Sequence, residues 1–245
     1  MQGRGLLERA SAWCGLIYLL IFGTGWLVLA HFVPPIPPSA GPAEVTSLFI
    51  ERQGWQMLAA VLMMCSTFVL FPVMALLVLI ARRIEGQVGL VTVMIALTSA
   101  TSLVFNFYTP FSFAMAAFRP DRDPKLIQYA SDYGFMQFMG GIPMFLLLWV
   151  LSAYAILVLS PRENPLVPRW FGYLNAWIAV LYLPELLVFF FHTGPFAWNG
   201  FVGFWIPAVL FVIYFAVTPF ILIPVVRKLF PDAVPAAPQV AGSRL

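Results

Sequence analysis

The sequence predicts an all-α fold: a membrane bundle of six transmembrane helices with both termini in the cytoplasm. Its composition favours this fold, because 62% of the 245 residues are hydrophobic and only 9% are charged, and the mean hydropathy is +0.92. A soluble globular domain carries about 25% charged residues. The charged residues here fall between long apolar runs, which is typical of a polytopic membrane protein. We therefore expect a multi-pass protein of the cell inner (plasma) membrane, surrounded by the lipid bilayer.

Six apolar runs are long enough to cross the hydrocarbon core, which takes roughly 20 residues for about 30 Å. Spans of this length must be helices, because backbone polar groups in lipid have to be bonded within the segment. None of the runs alternates apolar and polar residues, as the strands of a membrane barrel do. The predicted spans are 13–33, 55–81, 88–108, 134–160, 169–192 and 200–226. They form one domain over 1–229, and 230–245 is predicted to be a disordered cytoplasmic tail.

Basic residues between the spans predict the orientation of the bundle. More of them lie on the side of the two termini, and the positive-inside rule makes that side cytoplasmic. Basic residues beside lipid headgroups also explain the net charge of +3 without a nucleic-acid partner. The cytoplasmic set is Arg4, Arg9, Arg82, Arg83, Arg162, Arg169, Arg227, Lys228 and Arg244, and the outer set is Arg52, Arg119, Arg122 and Lys125.

The first span is predicted to stay in the mature protein. Its apolar run begins near Ser11 and is too long for a signal-peptide core, and the Pro-rich stretch 31–42 follows it in place of a cleavage site. The prolines of that stretch favour extended backbone. A short amphipathic helix on the outer surface is predicted at 43–53, with Val45, Leu48 and Phe49 on its apolar side.

Prolines and glycines predict irregularities in spans two and four. Pro72 is expected to kink span two. Asp123 before Pro124 is typical of a helix N-cap followed by a first-turn proline, so span four should begin above the membrane. The pair Gly140-Gly141, followed closely by a proline, should loosen the outer half of that span.

Span three carries a polar stripe. Ser99, Ser102 and Asn106 follow i, i+3, i+7 spacing and so share one helix face. Hydroxyl and amide groups are costly to place in hydrocarbon without partners. We expect this face to contact protein or water, and the three residues are candidate ligand-binding residues.

Glu185 is the only acidic residue well inside a predicted span. An ionisable group at that depth costs about 3 kcal/mol or more and usually faces a cavity or a partner. His192 lies seven residues on, two helical turns along the same face. We predict that Glu185 and His192 line an outward-opening pocket, with the polar stripe as its opposite wall, and both are candidate catalytic and ligand-binding residues. The alternative is a structural carboxyl group that is either protonated or bonded to a neighbouring hydroxyl group.

The outer turn at 192–200 and the outer loops are the remaining candidates. The turn is aromatic, and Trp198 joins the predicted ligand-binding set because aromatic side chains suit an apolar ligand. Charged residues cluster at 44–52 and 119–132. They predict either a solvated lid or a surface that docks a protein partner.

The sequence lacks the residues that many enzyme classes need. His31 and His192 are its only histidines, too few for a histidine-rich di-iron site. It has no glycine-rich phosphate loop, no Gly-x-Ser-x-Gly and no Cys-x-x-Cys. We expect no metal and no cofactor.

Four stretches carry a resemblance to a known family. They are His31-Phe-Val-Pro-Pro, Ala117-Phe-Arg-Pro-Asp-Arg, Pro168-Arg-Trp-Phe-Gly-Tyr-Leu-Asn and His192-Thr-Gly-Pro-Phe-Ala-Trp-Asn-Gly. Over nearly its whole length the chain resembles an uncharacterised family of six-span bacterial integral membrane proteins with no assigned activity. The stretch Leu183-Pro184-Glu185-Leu186 is similar to the Pro-x-Glu-Glu motif of membrane carotenoid cyclases, but those proteins carry paired acidic motifs and this chain has one Glu.

Three functions fit these features. The first is a protein that binds or passes a hydrophobic small molecule through an outward-facing pocket between spans three, five and six. The second is a membrane-embedded enzyme that modifies a lipid or isoprenoid, with Glu185 as general acid or base. The third is an accessory subunit of a membrane complex. The first leads, because one carboxyl and one distant histidine offer little for catalysis.

Overall fold

The computed structural model describes residues 4–230, and this part of the chain is helical with no β-strand. The predicted tail at 230–245 lies, apart from Phe230, outside the described residues. The helices are α1 (Arg4–Gly23), α2 (Pro42–Ile50), α3 (Gln53–Glu85), α4 (Leu90–Ala117), α5 (Pro124–Gly140), α6 (Pro143–Tyr154), α7 (Arg169–Tyr182) and α8 (Ile206–Leu229). Shorter segments wind differently: wider π-helical turns at Thr24–Leu29, Ala155–Leu159 and Phe201–Trp205, and a tighter 3-10 helix at Leu183–Phe189.

Within the described range, six helices are long and apolar enough to cross a membrane, which confirms the predicted number. Their bounds are Leu7–Leu29, Gln53–Glu85, Leu90–Ala117, Pro124–Leu159, Arg169–Phe189 and Phe201–Leu229. The third span, which was predicted to end at 108, continues to Ala117. Polar residues do not end it there because they find partners: the Thr109 hydroxyl donates to the carbonyl oxygen of Phe105 at 2.9 Å. The orientation of the bundle stays a prediction.

Span four is divided into two helices, as its sequence predicts. The side chain of Asp123 accepts a hydrogen bond from the backbone N–H of Lys125 at 2.8 Å, and Pro124 occupies the first turn of α5. The break falls at Gly141, between α5 and α6. A β-carbon at Gly141 would overlap the ring of Phe105, so the glycine allows α4 to approach the break closely.

The two ends of the bundle differ in character. At one end, here called the arginine face, Arg169 donates to the carbonyl oxygen of Leu157 at 3.1 Å and Lys228 donates to that of Pro165 at 3.3 Å. At the other end, here called the loop face, the long connections pack on one another. Their side-chain to backbone bonds include Gln53 to Ala117, Gln128 to Ala40 and Trp198 to Ile36.

A cluster of aromatic rings in the core lies beneath the loop face. We call it the aromatic cluster, and its members are buried and in mutual ring contact: Trp26, Phe32, Phe49, Phe113, Phe135 and Trp198. The amphipathic helix predicted at 43–53 is α2, and it places Val45 and Phe49 in the core. The loop connections are therefore anchored to the bundle by apolar packing.

The N-cap of α5 offers a test of the fold. We expect Asp123→Ala to lower the free energy of unfolding by about 1 kcal/mol, because the N–H of Lys125 loses its acceptor. Asp123→Asn keeps a side-chain oxygen and should stay within a few tenths of 1 kcal/mol. The exposed Asp121, two residues earlier, is the control for loss of charge. Equal apparent unfolding temperatures for Asp123→Ala and Asp121→Ala would contradict the cap.

Candidate functional site

A cavity of about 450 Å³ lies within the bundle and is the candidate site. All six spans contribute to it, whereas the sequence predicted spans three, five and six. Its walls are mainly aliphatic and aromatic. The polar side chains along it are Thr24, Asn106, Tyr182, Glu185 and Tyr214, with the indoles of Trp26 and Trp149.

Glu185 lies on the 3-10 segment that completes span five. The α-helix ends at Tyr182 because Pro184 has no N–H to donate and restricts the residue before it. The chain continues with three residues per turn, and Pro184 and Glu185 occupy its first turn. The local sequence therefore places Glu185 just after the change from α-helix to 3-10 helix, and its carboxyl group lies at the cavity wall.

The carboxyl group of Glu185 is buried and lacks a partner. The residue is 3% exposed, and its Oε2 has no hydrogen-bond partner among the described residues. Of the side-chain oxygen and nitrogen atoms buried without a partner in residues 4–230, only this one belongs to the cavity wall. A buried polar group without a partner costs free energy, and a buried charge costs more. Such a group is usually explained by an unseen ligand or by function.

Other polar groups of the wall already have partners within the protein. The hydroxyl of Tyr182 donates to the carbonyl oxygen of Pro207 at 2.7 Å, which ties span five to span six. The hydroxyl of Tyr18 donates to Oδ1 of Asn106 at 2.8 Å, and Nδ2 of Asn106 donates to the carbonyl oxygen of Ser102 at 3.3 Å. Glu185 thus lines the cavity with a carboxyl oxygen that no group of the described residues pairs with.

The predicted polar stripe is buried, but only part of it reaches the cavity. Asn106 lines the cavity together with Glu185, which fits the predicted opposite walls. Ser102 lies outside the lining and donates to the carbonyl oxygen of Met144 at 3.0 Å, so it joins α4 to α6. Ser99 is buried away from the cavity with its hydroxyl unpartnered. The ligand-binding role of all four residues stays a prediction.

The structure separates His192 and Trp198 from the cavity. His192 is exposed on the loop face and does not line the cavity. The 3-10 helix ends at Phe189, and His192 follows in a non-helical turn. The chain therefore leaves the helix before it completes the two turns that the predicted shared face requires. Trp198 is buried, its Nε1 donates to Ile36 at 2.7 Å, and its ring stacks on Phe135. Trp198 thus packs within the aromatic cluster and not in the cavity wall, and the predicted ligand-binding roles of Trp198 and His192 stay predictions.

Sequence reasoning missed the aromatic residues of the cavity wall. Tyr182 and Tyr214 are buried there beside Trp149, with ring centroids 4.7 Å and 6.1 Å from the indole. A tyrosine in an apolar run is also typical of the membrane interface. The sequence alone did not indicate that both tyrosines are buried inside the bundle.

No group of three or more His, Cys, Asp or Glu side chains lies close enough to hold a metal ion in the part of the chain that the structure describes. Comparisons with known proteins add no function to this geometry: no family model, no curated protein and no solved structure matches the chain. The resemblance to a six-span bacterial family stays a prediction from the sequence.

Proposed function

We propose that this protein is an integral membrane protein that binds or passes a hydrophobic small molecule in the cavity between its six spans. The observation that carries the proposal is a cavity of about 450 Å³ with largely apolar walls and one unpartnered, buried carboxyl group, that of Glu185. Small-molecule sites are typically about 300–1,000 Å³, apolar, and furnished with a few polar groups that orient the ligand. The basic residues of the arginine face support a cytoplasmic position for that end.

The two alternative functions receive less support from the same geometry. An enzyme that used Glu185 as acid or base would need a second group near the reacting atoms. The hydroxyl of Tyr182 is bonded to Pro207, and His192 lies outside the cavity. A role as an accessory subunit would rest on the charged loops alone.

Photolabelling of the protein in lipid nanodiscs tests the proposal. The probe is an eight-carbon alcohol that carries a diazirine, and labelled residues are located by mass spectrometry. We expect labelling of the cavity wall that saturates and is competed by unlabelled octanol. Ala208→Phe fills the cavity from α8 and should weaken this labelling about tenfold, a change worth about 1.4 kcal/mol.

The neighbouring substitution Val209→Phe is the matched control. Val209 lies on the same helix, is exposed, and does not line the cavity, so labelling should be unchanged. Absence of saturable labelling in the wild-type protein, or its persistence in Ala208→Phe, would overturn the proposal. A chemically altered alcohol or lipid recovered with the wild-type protein but not with Glu185→Gln would favour the enzyme.

A further inference from the structure

The cavity has an opening on the side of the bundle. Four apolar side chains belong both to its wall and to the outer surface: Leu20 is 62% exposed, Leu27 54%, Val28 59% and Val212 50%. The first three lie on span one, and Val212 lies on span six. A side chain that is exposed outside and lines the cavity marks a mouth. We call this opening the side mouth.

The packing of span one explains why the side mouth exists. Nearer the arginine face α1 touches α8, because a β-carbon at Gly15 would lie 3.1 Å from Cγ2 of Thr218. Span one packs on α3 along α1 as well, and nearer the loop face α3 becomes its main neighbour: a β-carbon at Gly25 would lie 2.8 Å from Cγ of Met63. Span one is therefore in contact with span six near the arginine face, whereas near the loop face it packs mainly on span two.

The π-helical turn Thr24–Leu29 lies in the part of span one that packs mainly on α3. The backbone N–H of Ala30 donates to the carbonyl oxygen of Gly25 at 2.9 Å, a bond across five residues that widens the turn. Such turns inside helices are frequent at functional sites. The mouth extends from Leu20 to Val28, which is about 12 Å along an α-helix.

The mouth and the carboxyl group together indicate the chemistry of the occupant. An apolar mouth within the spans, in the half of span one nearer the loop face, favours a molecule that is already dissolved in the hydrocarbon of the bilayer. The unpartnered Oε2 of Glu185 accepts a hydrogen bond when the carboxyl group is ionised and can donate one when it is protonated. A hydroxyl group both donates and accepts, so it can pair with this carboxyl group in either form. A hydrocarbon without a polar group would leave that oxygen unpaired, which binding sites discriminate against strongly.

We propose that the ligand is a hydrocarbon with one hydroxyl group, that it enters sideways from the bilayer through the mouth between spans one and six, and that its hydroxyl forms a hydrogen bond with Glu185. This inference rests on the proposed function and adds to it the route and the class of ligand.

Two sets of variants separate the route from the recognition of the hydroxyl group. Val28→Trp and Val212→Trp narrow the mouth, and Val209→Trp is the control on the same exposed side of α8. The diazirine alcohol is mixed rapidly with nanodiscs and photolysed after increasing delays. We expect both mouth variants to slow saturable labelling of the cavity about tenfold and to leave the final level within twofold of wild type, whereas the control does neither.

Glu185→Leu should act on selectivity and leave the rate unchanged. In the wild-type protein we expect the diazirine alcohol to label the cavity about tenfold more strongly than the matching diazirine alkane. Glu185→Leu should abolish this preference, and Glu185→Gln, which keeps a carbonyl acceptor, should retain most of it. Gel filtration of each variant reports whether it is folded, and Glu185→Gln gives a second reading of selectivity if Glu185→Leu aggregates.

The outcomes distinguish the proposals. If the wild-type protein shows no saturable cavity labelling, the proposed function fails and this inference fails with it. Saturable labelling with an unchanged rate in both mouth variants would overturn the lateral route alone. Equal labelling of the wild-type cavity by alcohol and alkane would overturn the role of Glu185 in recognising a hydroxyl group.

Discussion

Replacing Gly203 with alanine is expected to destabilise the protein by about 3 kcal/mol or more, because a new β-carbon would overlap main-chain atoms. This β-carbon would overlap the carbonyl oxygen of Ala197 and lie 3.1 Å from that of Phe196. That turn cannot retreat easily, since its Pro195 carbonyl oxygen accepts the backbone N–H groups of Val202 at 2.8 Å and Gly203 at 3.1 Å. The apparent unfolding temperature in mild detergent measures the effect.

Gly54→Ala is the matched control for this prediction. Gly54 is exposed in the first turn of α3, and a β-carbon there would meet nothing within 4 Å. Alanine is the better helix former by roughly 0.5–1 kcal/mol. We therefore expect Gly54→Ala to unfold at the same temperature as the wild-type protein or slightly above it. If both alanine variants unfold alike, the close approach of the 194–200 turn to span six is wrong.

Phe113→Ala should have the second large effect, about 3–5 kcal/mol, because the ring lies in the middle of the aromatic cluster. Its centroid is 4.7 Å from that of Phe32 and 5.1 Å from that of Phe135. A β-carbon at Gly134 would lie 2.6 Å from the ring, so α5 is shaped around this side chain. At about 2–4 °C per kcal/mol for a chain of this size, the apparent unfolding temperature should fall by about 10 °C.

The control for Phe113→Ala lies two residues away on the same helix. Phe111 is half-exposed and touches only the neighbouring rings of Phe107 and Tyr108 within ring-contact distance among the described residues. Phe111→Ala should lower the unfolding temperature by no more than a few degrees. Phe113→Leu, which retains most of the apolar volume, should fall between the two. A loss for Phe111→Ala as large as that for Phe113→Ala would contradict the position of the cluster.

The sequence predicted the helices well because their signals are local. Apolar runs longer than the hydrocarbon core gave six spans, and the pair Asp123 and Pro124 gave the start of α5. The glycine pair at 140–141 gave the break in span four. Each of these depends on a few adjacent residues and on geometry that neighbouring helices do not change.

The site was predicted only in part, because it depends on how helices pack. Glu185 and Asn106 do line one cavity, which spacing along single helices suggested. The hydroxyl of Ser102 donates to backbone carbonyl oxygens, as serine in a helix often does. The predicted shared face of Glu185 and His192 is wrong because span five ends at Phe189, before it reaches the histidine. Pro184 indicated the end of the α-helix but not the short 3-10 helix that follows it. The cavity itself arises from lateral gaps between spans, which no single-helix pattern records.

The 3-10 winding also makes span five longer than an α-helix of the same residues would be. Seven residues from Leu183 to Phe189 cover about 14 Å as a 3-10 helix and about 10.5 Å as an α-helix. Rewinding this segment would shorten the span by about 3–4 Å and draw the 190–200 turn towards the bilayer, with Glu185 rotating as it moved. The winding of this segment therefore determines both the length of span five and the position of the Glu185 carboxyl group at the cavity wall.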